Sequence, residues 1–177
     1  MSEVYLGNPN LKKANTQIEF TEENIREFLK CKDDPVYFAN NYIKIVSLDE
    51  GLTQFHPYHF QEKLINNFHE NRFNICKMPR QTGKSTTVVS YLLHYAVFND
   101  SVNIGILANK AATARELLGR LQTAYENLPK WMQQGIISWN KGSLELENGS
   151  KILAASTSAS AVRGMSFNIL FLDEFAF

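Results

Sequence analysis

"NICKMPRQTGKSTTVVSYLLHY", Asn74 to Tyr95, joins an apolar run, a short polar loop and a second apolar run. The tripeptide Gly83-Lys84-Ser85 stands where a strand would end and a helix begin. A phosphate-binding loop needs that arrangement. Its backbone N–H groups curl round a β-phosphate, its lysine reaches the β- and γ-phosphates, and its hydroxyl residue holds Mg2+. Gly83, Lys84 and Ser85 meet those needs, with Arg80, Gln81, Thr82 and Thr86 in the same loop and first helical turn. Gly-Lys-Ser is a common tripeptide, and its position between strand and helix separates it from a chance match.

The loop has unusual parts. The usual pattern carries glycine five residues before Gly83, where this chain has Met78. Met78-Pro79 can replace that glycine only if the turn out of the strand is made with negative φ. An arginine, Arg80, also lies inside the loop.

The second acidic half of such a site would come from "NILFLDEF", an apolar strand delivering Asp173 and Glu174. In NTPases of this type the aspartate supports Mg2+ and the adjacent glutamate polarises the attacking water. Acidic pairs after strands are also plain loop residues, but a phosphate loop upstream favours the functional reading. The adjacent glutamate points to the branch with an additional strand between the two motifs.

Outward from these motifs, the pattern predicts strand Phe73–Met78, helix Lys84–Phe98, strand Val102–Ala108 and helix Ala112–Tyr125. Ser143–Glu147 and Lys151–Ala155 read as a hairpin on a two-residue Asn148-Gly149 turn, and Ile169–Leu172 as the last strand. The expected fold is α/β: a P-loop NTPase with a mostly parallel sheet covered by helices on both faces. "AASTSASA", Ala154–Ala161, reads as a mobile loop. Before the motifs, Thr21-Glu22-Glu23-Asn24 opens a capped amphipathic helix, "DPVYFANNYIKIV" gives a turn and an apolar segment, and Gln61–His69 a short helix. Residues 1–50 are expected to form a helical cover and residues 51–177 the ATPase core.

Composition agrees with an enzyme core. The 177 residues are 44% hydrophobic, enough for one domain with a proper interior. No run approaches the roughly 18 apolar residues of a membrane span, and Met1-Ser2-Glu3-Val4 opens no secretory signal. The expectation is a soluble intracellular protein with no membrane partner. Eighteen basic and eighteen acidic residues cancel, which excludes a polycation that coats nucleic acid. Cys31 and Cys76 stand in no metal-type spacing; both read as reduced, and Cys76 as buried.

Three weaker features remain. In "FHPYHFQ" Tyr58 can stack on adenine and Gln61 read its amino edge, or the pair is a helix start with a core aromatic. His56 and His59 lack ligand-spaced partners and read as structural. Arg163, beside Gly164, is either a γ-phosphate finger or an ordinary surface arginine.

"DPVYFANNYIKIV", "PRQTGKST", "LENGSKILAASTSASAVRGMSFN" and "ILFLDEFAF" together resemble the ATPase domain of the large terminase subunit of tailed phages, closest to the T-even type. The resemblance runs from about Asp33 onward, and members of that family carry arginine and glutamine before Gly-Lys-Ser/Thr. It implies an ATP-driven motor that packages double-stranded DNA into a prohead through a portal protein, working with a small terminase subunit in the host cell cytoplasm. On the matching positions it implies that Lys84 and Ser85 bind phosphate and Mg2+, that Asp173 binds Mg2+, and that Glu174 is the catalytic carboxylate. Arg80 would sense the γ-phosphate within the chain. Arg163 would act across a homo-oligomeric ring. Family members continue past the Asp-Glu pair into a coupling motif, a lid subdomain and a nuclease domain, so the resemblance also implies a fold incomplete at the C-terminus. Two other classes share parts of the pattern. A helicase-like remodelling ATPase would have the loop, Gln61 and the acidic pair, while a non-catalytic nucleotide-binding module would have the loop alone.

Overall fold

A computed structural model describes residues 3–47, 49–158 and 164–174. Two short strands, β1 (Val4–Tyr5) and β2 (Asn8–Lys12), form an N-terminal ribbon. Helices α1 (Glu22–Asp33) and α2 (Pro35–Tyr42) follow, then a hairpin of β3 (Lys44–Ser47) and β4 (Gly51–Gln54). Helix α3 (His59–Glu70) leads to the loop, and α4 (Lys84–Phe98), β5 (Asn103–Ala108) and α5 (Ala111–Glu126) follow it. The remaining strands are β6 (Ile136–Trp139), β7 (Ser143–Leu146), β8 (Lys151–Ser156) and β9 (Ile169–Asp173).

Helix starts obey local chemistry. Thr21 Oγ1 accepts the Asn24 N–H at 3.1 Å while Asn24 Oδ1 accepts the Thr21 N–H at 3.2 Å, a reciprocal cap on α1. Asp34 ends α1 and caps α2, its carboxylate accepting the N–H groups of Val36 and Tyr37, with Pro35 at the first helical position. Helix α4 spans the predicted Lys84–Phe98, and it is buried nearly all round from Thr87 to Phe98. A helix apolar on every side must be packed on every side. It lies against α2, α3 and α5.

The N-terminal elements share one core with the motif-bearing part. Phe38 of α2 is fully buried, its ring 5.3 Å from Phe98 at 89° and 5.5 Å from His94 at 61°. His94 Nε2 lies 2.8 Å from the Cys31 carbonyl, tying α4 to α1. Truncating an aromatic side chain so placed costs about 3–5 kcal/mol.

The five-stranded sheet has the order β6-β7-β8-β5-β9. It is mixed, which corrects the mostly parallel expectation: β5 runs parallel to β8 and β9, while β7 is antiparallel to both β6 and β8. The short link between β7 and β8 permits nothing else, since a parallel pair needs a long crossover. The N-terminal ribbon protects the β6 edge through a parallel bridge between Lys13 and Ile136.

The two faces of the sheet are buried by different contacts, and β5 is buried on both. Ile104, Ile106, Ile152 and Ala154 enter the buried cluster with α4 and α5, and Ile169 and Phe171 pack against it. The alternate set lies outside that cluster, and Leu170 within it is 48% exposed. Gly105 belongs to this second face because a Cβ there would meet Leu170 Cδ1 at 2.8 Å.

Two local expectations change. Gly149 has φ +81 and Asn148 does not take the left-handed region, so the hairpin closes by a Gly149 N–H to Leu146 C=O bond at 3.0 Å rather than a two-residue turn. Asn148 instead turns its amide inward, donating to the carbonyls of Ala96 and Asn99 at 2.9 and 3.1 Å. It thereby satisfies acceptors at the end of α4. Ala154–Ser156, expected in a mobile loop, complete β8.

Candidate phosphate site

The candidate phosphate loop sits between α3 and α4 and is shaped by two residues in the left-handed region, Gln81 (φ 62) and Gly83 (φ 72). Met78 and Pro79 keep negative φ, as the missing glycine requires. Thr82 Oγ1 donates to the Pro79 carbonyl at 3.0 Å and closes the turn. Gly83 then caps α4, its carbonyl accepting both the N–H and the Oγ1–H of Thr87 at 3.0 Å. The N–H groups of Lys84, Ser85 and Thr86 open the helix without intrahelical acceptors, and none finds another among the described residues. Such a helix start carries partial positive charge and favours an anion.

The predicted strand before the loop is not formed. Phe73–Met78 pairs with no strand among the described residues, and Phe73 and Ile75 are 83% and 100% exposed. An apolar run becomes a strand only when a neighbour pairs its backbone and covers its side chains. Among the described residues β9 pairs with β5 alone and forms the sheet edge. Cys76 is half-buried rather than buried, and burial pushes its thiol up, partly offset by the nearby Lys84 ammonium.

The acidic half arrives at the carboxyl ends of the parallel strands, the side on which open α/β sheets bind ligands. Ala108 of β5 lies in register with Asp173 of β9 and with Ser156 of β8. Asp173 is buried, and its Oδ1 stands 3.7 Å from Lys84 Nζ. Glu174 follows in the left-handed region at φ 50, with its side chain exposed. Non-glycine residues there are uncommon, and such positions cluster at functional sites.

The other predicted residues fall as follows. Ser85 and Thr86 are half-buried at the first turn of α4, and the Ser85 hydroxyl has no partner among the described residues. Arg80 and Gln81 are exposed in the loop. Tyr58 is 71% exposed and stacks on Phe60 at 5.8 Å and 10°, so a planar face is presented to solvent beside the start of α3. Gln61 is buried at 3% exposure. Its Oε1 accepts the Tyr58 N–H at 2.8 Å and its Nε2 donates to the Thr82 carbonyl at 3.2 Å. That link to the loop is absent from the sequence reading. The only local signal for it is the spacing of Gln61 three residues after Tyr58, the N-cap of α3, half of a capping box. Arg163 lies outside the described residues. His59 Nδ1 is 3.6 Å from Glu62, and no group of three or more His, Cys, Asp or Glu side chains gathers for a metal among the described residues.

The residues present fit a magnesium-bound nucleotide. Lys84 meets the buried carboxylate of Asp173 at the carboxyl end of the sheet, and the helix-start N–H groups and the Ser85 hydroxyl beside it have no partner among the described residues. Each matches a charge or lone pair of a phosphate chain and a hard cation.

A family whose model is described as "Terminase large subunit, T4likevirus-type, N-terminal" matches residues 75–177. Among solved structures, the large terminase of bacteriophage HK97 superposes with a TM-score of 0.64 at 17% identity, covering 80% of this chain and 30% of that one. At that identity the likeness concerns the fold. The chain thus spans less than a third of that relative's length.

Proposed function

The chain belongs to the T4-like family of terminase large subunits, and from that membership we propose that it carries the ATP site of a viral DNA-packaging motor. The observation that carries the proposal is the approach of Lys84, first residue of α4, to Asp173, last residue of β9, at 3.7 Å. The two halves of a phosphate site come together there.

On this reading the Lys84 ammonium and the first-turn N–H groups hold the β- and γ-phosphates, while Ser85 and Asp173 hold Mg2+. When bound, the cation neutralises charge on the phosphate oxygens. Glu174 orients a water and takes its proton. Arg80, inside the loop, contacts the γ-phosphate from the same chain, and Arg163 reaches a neighbour's nucleotide in a homo-oligomeric ring. Gln81, Thr82 and Thr86 line the phosphates, and the exposed Tyr58 ring stacks on the base. The further reading is that the P-loop belongs to the additional-strand, catalytic-glutamate branch. The partners would be double-stranded DNA, the portal protein and the small terminase subunit, in the host cytoplasm.

Calorimetric titration with Mg·ATP, repeated with the magnesium chelated, tests the site. Saturable binding that weakens without the cation is expected. Absence of binding in both conditions would remove the nucleotide reading.

A further inference from the structure

The register of β9 carries Asp173 to the candidate site, and hydrophobic patterning leaves that register open. Ile169–Leu172 is apolar at every position, so a displaced strand would still set apolar side chains on both faces of the sheet. In the observed register Ile104, Ile106 and Ala108 of β5 lie opposite Ile169, Phe171 and Asp173. Side chains alternate along a strand, so Asp173 shares the face of Ile169 and Phe171, which pack against the cluster containing α4. A slip of one residue would turn its carboxylate to the other face, and a slip of two would carry it roughly 6.6 Å along the strand. Either would separate it from Lys84 Nζ, now 3.7 Å away.

The residue before β9 supplies what the pattern lacks. Asn168 Oδ1 accepts the Asn103 N–H at 2.8 Å, and the Asn168 N–H donates to the Asn103 carbonyl at 2.8 Å. One residue thus takes both backbone groups of the residue that opens β5. A displaced strand would bring Phe167 or Ile169 there, and neither has a side-chain acceptor. Close by, a Cβ on Gly105 would lie 2.8 Å from Leu170 Cδ1 and 3.1 Å from the Phe167 ring, so the missing side chain leaves a recess that these two residues fill.

Resting on the phosphate-site reading above, we infer that Asn168 is a positioning residue: its side chain fixes the β5–β9 register and thereby sets the Asp173 carboxylate where Mg2+ is to be held. Mg2+ accepts only near-ideal ligand positions, at about 2.0–2.1 Å, so a shifted carboxylate loses its place. The phosphates, held by Lys84 and the first-turn N–H groups of α4, do not depend on β9. Asn168 therefore acts on the cation-dependent share of nucleotide binding and leaves the rest.

Calorimetric titration with ATP, in Mg2+ and with Mg2+ chelated, compares the wild type, Asn168→Ala and Asn168→Asp. Alanine removes the acceptor, and aspartate keeps an oxygen for the Asn103 N–H. The gain in affinity on adding Mg2+ should fall at least about threefold in Asn168→Ala, the worth of one hydrogen bond. It should return in Asn168→Asp, and affinity without Mg2+ should be the same in all three. An undiminished gain in Asn168→Ala, an equal loss with and without the cation, or no return in Asn168→Asp would overturn the positioning role. A wild-type chain that binds ATP in neither condition would remove the phosphate-site reading and the Mg2+ role with it. The register anchor is then judged without nucleotide, and without any variant that must fold, by amide exchange on the wild type. The Asn103 N–H should exchange at least about tenfold more slowly than an open amide, and exchange at the open rate would overturn the anchor.

Discussion

Lys84 Nζ lies 3.7 Å from Asp173 Oδ1, the lysine side chain 29% exposed and the aspartate 9%. The pair is loose enough for an incoming phosphate to compete for the ammonium and close enough to keep the carboxylate compensated. On the proposed reading Lys84→Ala weakens Mg·ATP binding at least about tenfold, since a charge-assisted contact contributes about 1.5–3 kcal/mol. Calorimetric titration of both forms checks this, and equal affinities would take Lys84 out of the site.

Glu174→Gln separates binding from turnover. The amide is nearly isosteric but cannot accept the proton. Measured in a protein of the relatives' full length, the variant should bind Mg·ATP as the parent does and release phosphate at least about a hundredfold more slowly. Phosphate release near the parental rate would place the base elsewhere.

His94 makes the helical layer sensitive to acid. Burial lowers its pKa from 6.5 to about 4, aided by the His69 ring and opposed by the bond to the Cys31 carbonyl. Its Nδ1 is buried without a hydrogen-bond partner among the described residues. The unfolded chain takes up that proton more readily than the folded one. The stabilising effect of the neutral ring is therefore complete above pH 6.5 and drains as pH falls from 6.5 toward 4. Urea unfolding at pH 7 and pH 4.5 should show the wild type losing about 2 kcal/mol more than His94→Phe between the two conditions. Equal losses would mean that His94 titrates normally.

Asn148 tests how the hairpin is fastened to the phosphate helix. Its amide donates to Ala96 and Asn99 carbonyls at the end of α4, and its Oδ1 accepts the Ser150 N–H at 3.0 Å. Asn148→Ala should cost about 1–3 kcal/mol in denaturant unfolding, through carbonyls left without donors. A change within about 0.5 kcal/mol, as at an ordinary surface position, would show that water replaces the amide.

Local chemistry was readable in the residues themselves. Thr21 announced the start of α1, and Lys84–Phe98 was a helix from the mostly apolar stretch that follows the Gly83-Lys84-Ser85 tripeptide. The strands β5 and β9 were found within a residue of their bounds. These features depend on capping groups and periodicity that act within a few residues. The residue types of the Gly83-Lys84-Ser85 loop and the Asp173-Glu174 pair were equally legible, because they are given by the sequence alone.

What waited for the tertiary structure were the features that require a distant partner. Phe73–Met78 has strand composition, but no neighbouring strand bonds it among the described residues. Ile169–Leu172 is apolar on both alternating faces, yet among the described residues Ile169 and Phe171 pack against the main core while Leu170 is half exposed. The sequence left Gln61 open between a base contact and a helix start, and only the packing of α3 shows its amide bonded to the Thr82 carbonyl. Periodicity gives the kind of surface a segment offers, and only the packed chain decides which other segment meets it, since that choice rests on backbone pairing and excluded volume between residues far apart in the chain.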